Sequence, residues 1–147
     1  MKSGLSHTLL LLAILSVISF NYVQAQNDLP DSLVKKMLRD FYTSYMKQFT
    51  DLSPGHEQKT KEILKKYCTA GLIKKIPKLA DKTDSDPFLM AQDSDSSWTK
   101  SLVIKKDLKK SGVYVVSYHD DSEAKTFVII HLLVVRQKES YLISDVW

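Results

Sequence analysis

TFVIIHLLVV, residues 126–135, decides how this chain folds. Read as a strand, it sets Val128, Ile130, Leu132 and Val134 on one face and Phe127, Ile129, His131, Leu133 and Val135 on the other, because strand side chains alternate. Just upstream, Asp120-Asp121-Ser122 is a turn, and residues 113–118 are a β-branched and aromatic run closed off by Ser111-Gly112. Further back, residues 101–108 alternate, with Leu102, Ile104 and Leu108 on one side. Downstream, residues 137–140 turn the chain into a last strand over 141–147. Short turns between successive strands require antiparallel neighbours, so these segments predict a four-stranded meander. A strand apolar on both faces is expected to be covered on both. The second face of residues 126–135 is then either a subunit interface or the wall of a cavity.

The first half of the chain is helical. Asn27-Asp28 followed by Pro30 is a helix-start signal. From there Leu33, Met37, Phe41, Tyr45 and Phe49 step by four, beside a parallel row of Val34, Leu38, Tyr42 and Met46. Two adjacent rows make a wide apolar face, and Lys35, Lys36, Arg39, Asp40, Thr43 and Lys47 take the remainder. Ser53-Pro54-Gly55 ends this helix. A second helix is expected over residues 57–68, burying Ile63, Leu64, Tyr67 and Cys68. A short third piece holds Leu72, Ile73 and Ile76, with Gly71 at its joint and Pro77 limiting its length. Residues 81–97, DKTDSDPFLMAQDSDSS, form a polar loop around a small apolar centre. Helices first and an antiparallel sheet after define an α+β domain, N-terminal helices packed on a curved four-stranded antiparallel sheet.

Ahead of this domain stands a different kind of segment. Lys2 precedes the apolar run of residues 8–20, and Val23-Gln24-Ala25 offers a peptidase site. The expected organisation is therefore a signal peptide over 1–25, a single domain over 26–147, and export to a bacterial periplasm or medium. The run is shorter than the roughly 20 apolar residues that a spanning helix needs, so no membrane span is expected. About 120 residues then remain, enough for one hydrophobic core. The single cysteine, Cys68, excludes a disulfide framework and any multi-cysteine zinc site. Of the 21 basic residues only Arg39 and Arg136 are arginines, and lysine doublets are scattered along the chain. Nucleic-acid readers favour arginine's planar fork, so no nucleic-acid partner is expected.

The order of elements, with Asp86-Pro87-Phe88, Gln92-Asp93, Trp98 and the closing Ile143-Ser144-Asp145-Val146-Trp147, resembles the uncharacterised bacterial family typified by the lipoprotein YbjP. That family is similar in architecture to the nuclear-transport-factor-two-like, or cystatin-like, α+β cone. The resemblance covers nearly all of residues 28–147. It implies a curved sheet closed by helices around a hollow, often with dimers through the sheet, and it implies no function, since the cone hosts enzymes and inert binding modules alike. The lipidation cysteine of lipoprotein relatives is absent here.

Candidate chemistry is sparse. Asp84, Asp86, Asp93 and Asp95 are oxygen ligands of the kind calcium takes. An EF-hand reading from Asp93 fails, because Trp98 occupies the turning-glycine position and Ile104 that of the bidentate glutamate. These aspartates serve equally as helix caps and turn braces. His56-Glu57 begins a zinc-protease motif, but Thr60 stands where its second histidine belongs. No metal or other cofactor is expected. Cys68 reads as a buried thiol on an apolar helix face. Asp86, Phe88, Asp93, Trp98, His131 and Asp145 form the candidate ligand-binding set, around a hollow with the aspartate-rich loop as its lip. The resulting expectation is an exported, non-catalytic module that binds a small molecule or a protein, with a homodimer through the sheet as one form of it. The alternative is a small cone-fold isomerase or hydrolase, with His131 and a carboxylate such as Asp86 or Asp145 moving a proton.

Overall fold

A computed structural model describes residues 30–51, 53–119 and 127–147. The expected signal segment, the Asn27-Asp28 start signal and the Asp120-Asp121-Ser122 turn lie outside the described residues. The elements run α1 (Asp31–Phe49), α2 (His56–Tyr67), α3 (Ala70–Thr83), a 3-10 helix (Ser96–Ser101), β1 (Val103–Lys106), β2 (Val113–His119), β3 (Phe127–Gln137) and β4 (Ser140–Val146). The strands lie in the order β1-β2-β3-β4, each antiparallel to the next. A register shift at Leu133/Val134 is a bulge against β4, a feature that bends a strand. This is the α+β meander that the segment 126–135 and its flanking turns require.

One face of the sheet and the helices share a single core. Val34, Leu38, Tyr42 and Met46 are buried on α1, joined by Phe41 and Tyr45. Leu33, which begins the other expected row, is half exposed. The helix is thus rotated so that one row of four faces the sheet squarely and the second is covered only in its middle. Thr69 caps α3, its Oγ1 accepting from Leu72 N at 3.2 Å. Pro77 does not end α3, as expected from the sequence, but sits exposed within it. Ile76 and Leu79, on either side, pack against the core. Their partial burial, short of the about 1.5–3 kcal/mol of a fully buried aliphatic side chain, works against an interior proline's cost of about 3 kcal/mol.

On the sheet, Tyr114, Val116, Tyr118, Ile130, Leu132, Val134, Ile143 and Val146 point into the core. The opposite face of β3 is not covered as its apolar pattern leads one to expect: Phe127 is 51% exposed and Ile129 52%. Cross-strand register extends this outer face through Val103 and Lys105 on β1, Val115 on β2 and Asp145 on β4. Leu108 leaves the alternation of Leu102 and Ile104 and stands 95% exposed in the β1–β2 connection, because β1 ends at Lys106 and residues 108–112 bend and turn.

That connection closes on Gly112, at φ +71°, whose carbonyl accepts from Val134 N at 2.8 Å. A Cβ added there would lie 2.9 Å from Val134 O. Both the left-handed backbone and the close carbonyl oppose any side chain. We expect Gly112→Ala to destabilise the domain by about 2 kcal/mol, read as a lower urea midpoint with an unchanged denaturant slope.

Candidate functional site

The Asp86-Pro87-Phe88 turn organises the aspartate-rich loop. Asp86 N donates to Ala91 O at 3.0 Å, and Asp86 O accepts from Leu89 N and Met90 N at 3.2 and 2.7 Å. The carboxylate repeats the pattern with its side chain: Oδ1 accepts from Phe88 N at 2.8 Å and Leu89 N at 3.0 Å. Oδ2 accepts from Tyr45 Oη on α1 at 2.7 Å. Aspartate suits this turn because its short side chain reaches backbone N–H groups two and three residues on. Burial pushes the Asp86 carboxyl up, against the three hydrogen bonds that favour its charge. Burial and the neighbouring Asp86 push the Tyr45 phenol up as well.

Held by this turn, Phe88 and Leu89 are fully buried. The Phe88 ring meets Phe41 and Tyr45 edge-on, with centroids 5.1 and 5.5 Å apart. Tyr118 Oη donates to Leu89 O, and Trp98 stacks on the Tyr118 ring at 5.2 Å. The expected lip of a hollow is therefore a plug: Phe88 and Trp98 fill the space between α1 and the sheet instead of lining a mouth. Tyr42 Oη is enclosed beside this group with no hydrogen-bond partner, and burial pushes the Cys68 thiol up to about 12, which keeps it protonated and unreactive.

The remaining aspartates of the loop mostly brace it. Asp84 Oδ2 accepts from Gln92 Nε2 at 3.1 Å. Asp95 Oδ1 accepts from Ser97 N at 2.7 Å at the start of the 3-10 helix, and those bonds hold its carboxyl below the ordinary range. Asp93 is exposed. Among the described residues no three histidine, cysteine or acidic side chains converge as a metal site.

His131 lies on the opposite, outer face of the sheet. Its backbone exchanges two hydrogen bonds with Trp147, of 2.9 and 3.1 Å, and its ring stacks on the Trp147 indole at 5.8 Å. Its Nδ1 is enclosed without a partner. Asp145 pairs with Lys75 Nζ from α3 at 3.5 Å. The six candidate residues therefore separate: Asp86, Phe88 and Trp98 sit together on the helix side, His131 and Asp145 on the outer side, and Asp93 in solvent. What the candidate set leaves out is the exposed row Phe127, Ile129 and Trp147, although the second face of residues 126–135 reads as an interface or a cavity wall. Its signal was already present in the two-sided apolar pattern of residues 126–135.

A meander with helices on one face and a partly exposed apolar face on the other is the class of domain these observations define. The chain is similar to a protein of unknown function from Bacteroides thetaiotaomicron VPI-5482, known from a crystal structure, with 28% sequence identity and a TM-score of 0.70. The match covers 93% of this chain and 98% of that one. No family model matches, and no curated protein matches. The neighbour has the same α+β fold.

Proposed function

We propose that this chain is an exported, non-catalytic binding module of bacteria that docks through the outer face of its sheet, and that a second copy of the chain is the partner seated there. One observation carries the reading: Phe127 and Ile129 stand half exposed beside Val103, Val115, His131 and Trp147, while Phe88 and Trp98 plug the interior where a ligand would otherwise enter. Exposed apolar sheet faces of this kind mark interaction sites, and two such faces pack about 10 Å apart with strands near parallel. The flanks of the face carry Lys105 on β1 and, on β4, Asp145 already paired with Lys75. A two-fold axis running along the strands would bring β1 of one copy opposite β4 of the other and stack the two apolar faces.

Export rests on the leader-like residues 1–25, and kinship with the YbjP-typified family and the cone fold rests on the motifs quoted above. A proton-transfer enzyme would need His131 beside Asp86 or Asp145. Asp86 lies across the sheet from His131, bonded to Tyr45, and Asp145 pairs with Lys75.

Sedimentation velocity on the secreted protein tests the dimer. The expected result is a dimer at micromolar concentration that becomes a monomer in Ile129→Lys, with the same circular dichroism spectrum. A wild-type monomer at the highest attainable concentration, or a dimer that survives Ile129→Lys and Phe127→Lys together, would overturn the reading.

A further inference from the structure

The β1–β2 hairpin carries charge and apolar surface beyond the dimer face, with Lys105 and the adjacent Trp147 at the border between the two. Its sequence is Lys105-Lys106-Asp107-Leu108-Lys109-Lys110. Four lysines against one acid give these six residues a net of +3, in a chain whose formal net charge is +4. The acid is spent within the turn: Asp107 Oδ1 accepts from Lys109 N at 2.8 Å, and Asp107 N donates to Val113 O at 2.9 Å. These bonds hold the backbone while Leu108, at 95% exposure, projects from it. Lys105, Lys109 and Lys110 are exposed. Lys110 Nζ lies 5.8 Å from the centre of the Trp147 ring, so a half-exposed indole stands beside the tip.

We propose that this hairpin is a docking tip for an anionic lipid surface, with Leu108 entering the headgroup region and the surrounding lysines meeting the lipid charges. The argument is one of complementarity. A lone leucine on a convex turn gains by leaving water. Lysine stems can lie along apolar surface while their ammonium groups stay in the polar layer. Tryptophan, apolar in body with one polar N–H, is enriched at that same depth. A negative leaflet attracts basic residues through its mean field and needs no matched acidic pattern. A protein pocket would need both a concave apolar slot and a fitted acidic rim. The single, convex, one-sign tip is the shape that a bilayer accepts without either. One leucine and a few lysines make the attachment reversible and salt-sensitive, unlike a spanning helix.

The test is co-sedimentation of the secreted protein with vesicles of phosphatidylcholine, alone or mixed with phosphatidylglycerol. Binding is expected to the anionic vesicles only and to be lost in high salt. The paired change Lys109→Gln and Lys110→Gln is expected to weaken it about 25-fold, roughly fivefold per lysine. Leu108→Ser is expected to weaken it about tenfold. All these positions are exposed, so the melting temperature serves as a control for folding. Any uncleaved apolar leader would bind both vesicle types alike and is common to every variant. Equal binding to both compositions, no binding to either, or affinity unchanged in both variants would overturn the proposal. So would binding to polyglutamate but not to anionic vesicles, which would assign the hairpin to an acidic protein.

Discussion

Replacing Asp86 by alanine is expected to lower the stability of the domain by about 3 kcal/mol, whereas Asp86→Asn should cost less than about 1 kcal/mol. The carboxylate is the shared acceptor for Phe88 N, Leu89 N and Tyr45 Oη. Alanine strands Phe88 N and the Tyr45 hydroxyl in a closed site, while Leu89 N keeps its bond to Asp86 O, and an unsatisfied buried donor costs about 1–3 kcal/mol. Asparagine keeps an oxygen for the two backbone donors and turns its amide toward the Tyr45 hydroxyl. For a domain of this size the alanine change corresponds to a fall of roughly 10–15 °C in melting temperature. A pH series separates charge from geometry. Burial raises the Asp86 pKa above its ordinary value, so the folded state binds this proton more tightly than the unfolded one. Its contribution to stability is full below the unfolded pKa and is lost as pH rises through the folded one. The stability of the wild type minus that of Asp86→Asn should therefore decline as pH rises from the ordinary carboxyl range through that raised pKa, then level off. A difference that grows with pH would show that the hydrogen bonds, not burial, dominate the titration.

The fold was legible because its signals are local. The strands of residues 113–119 and 127–137 announce themselves as β-branched and apolar runs bounded by turn residues, and Gly112 marks a left-handed turn that a side chain cannot enter. The exceptions have physical reasons. Pro77 reads as a stop, but a stop is a backbone preference that core packing by Ile76 and Leu79 overrides. Leu108 reads as the third residue of an apolar stripe, but the stripe ends with β1 at Lys106, and only the turn geometry reveals it.

The candidate site was less legible, because a site is a set of long-range meetings. Asp86 and Tyr45 lie 41 residues apart in the chain, and no spacing rule links a loop aspartate to one tyrosine on a helix. Phe88 and Trp98 are aromatic residues at loop positions, equally suited to a ligand mouth or a plug. The choice rests on whether Phe41 and Tyr118 occupy the space opposite, which composition does not encode. The two-sided β3 was visible in the sequence. Its bare face was not, because coverage depends on how many helices reach each side.

The same helix supplies the sharpest contrast in expected stability. Phe41→Ala should be nearly unfolding, a loss of about 4 kcal/mol, while Leu33→Ala eight residues earlier should change stability by less than about 0.5 kcal/mol. Both belong to one row of the amphipathic pattern, so periodicity alone treats them as equals. Phe41 is fully buried and is a hub: its ring lies 5.2 Å from Tyr42, 5.1 Å from Tyr45, 5.7 Å from Tyr67 and 5.1 Å from Phe88. Deleting it opens a cavity bounded by rings on two helices and the Asp86 loop, and these rigid groups collapse poorly into the space. Leu33 faces water at the first turn and leaves no cavity. Since a domain of this length has roughly 5–15 kcal/mol in all, Phe41→Ala is read best in chemical denaturation at low temperature, with Phe41→Leu, at about 1.5 kcal/mol, as the variant certain to fold. Equal losses at positions 33 and 41 would mean that α1 is rotated from the orientation described here. The plug formed by Phe88, and with it the separation of a filled interior from an open outer face, would then have to be redrawn.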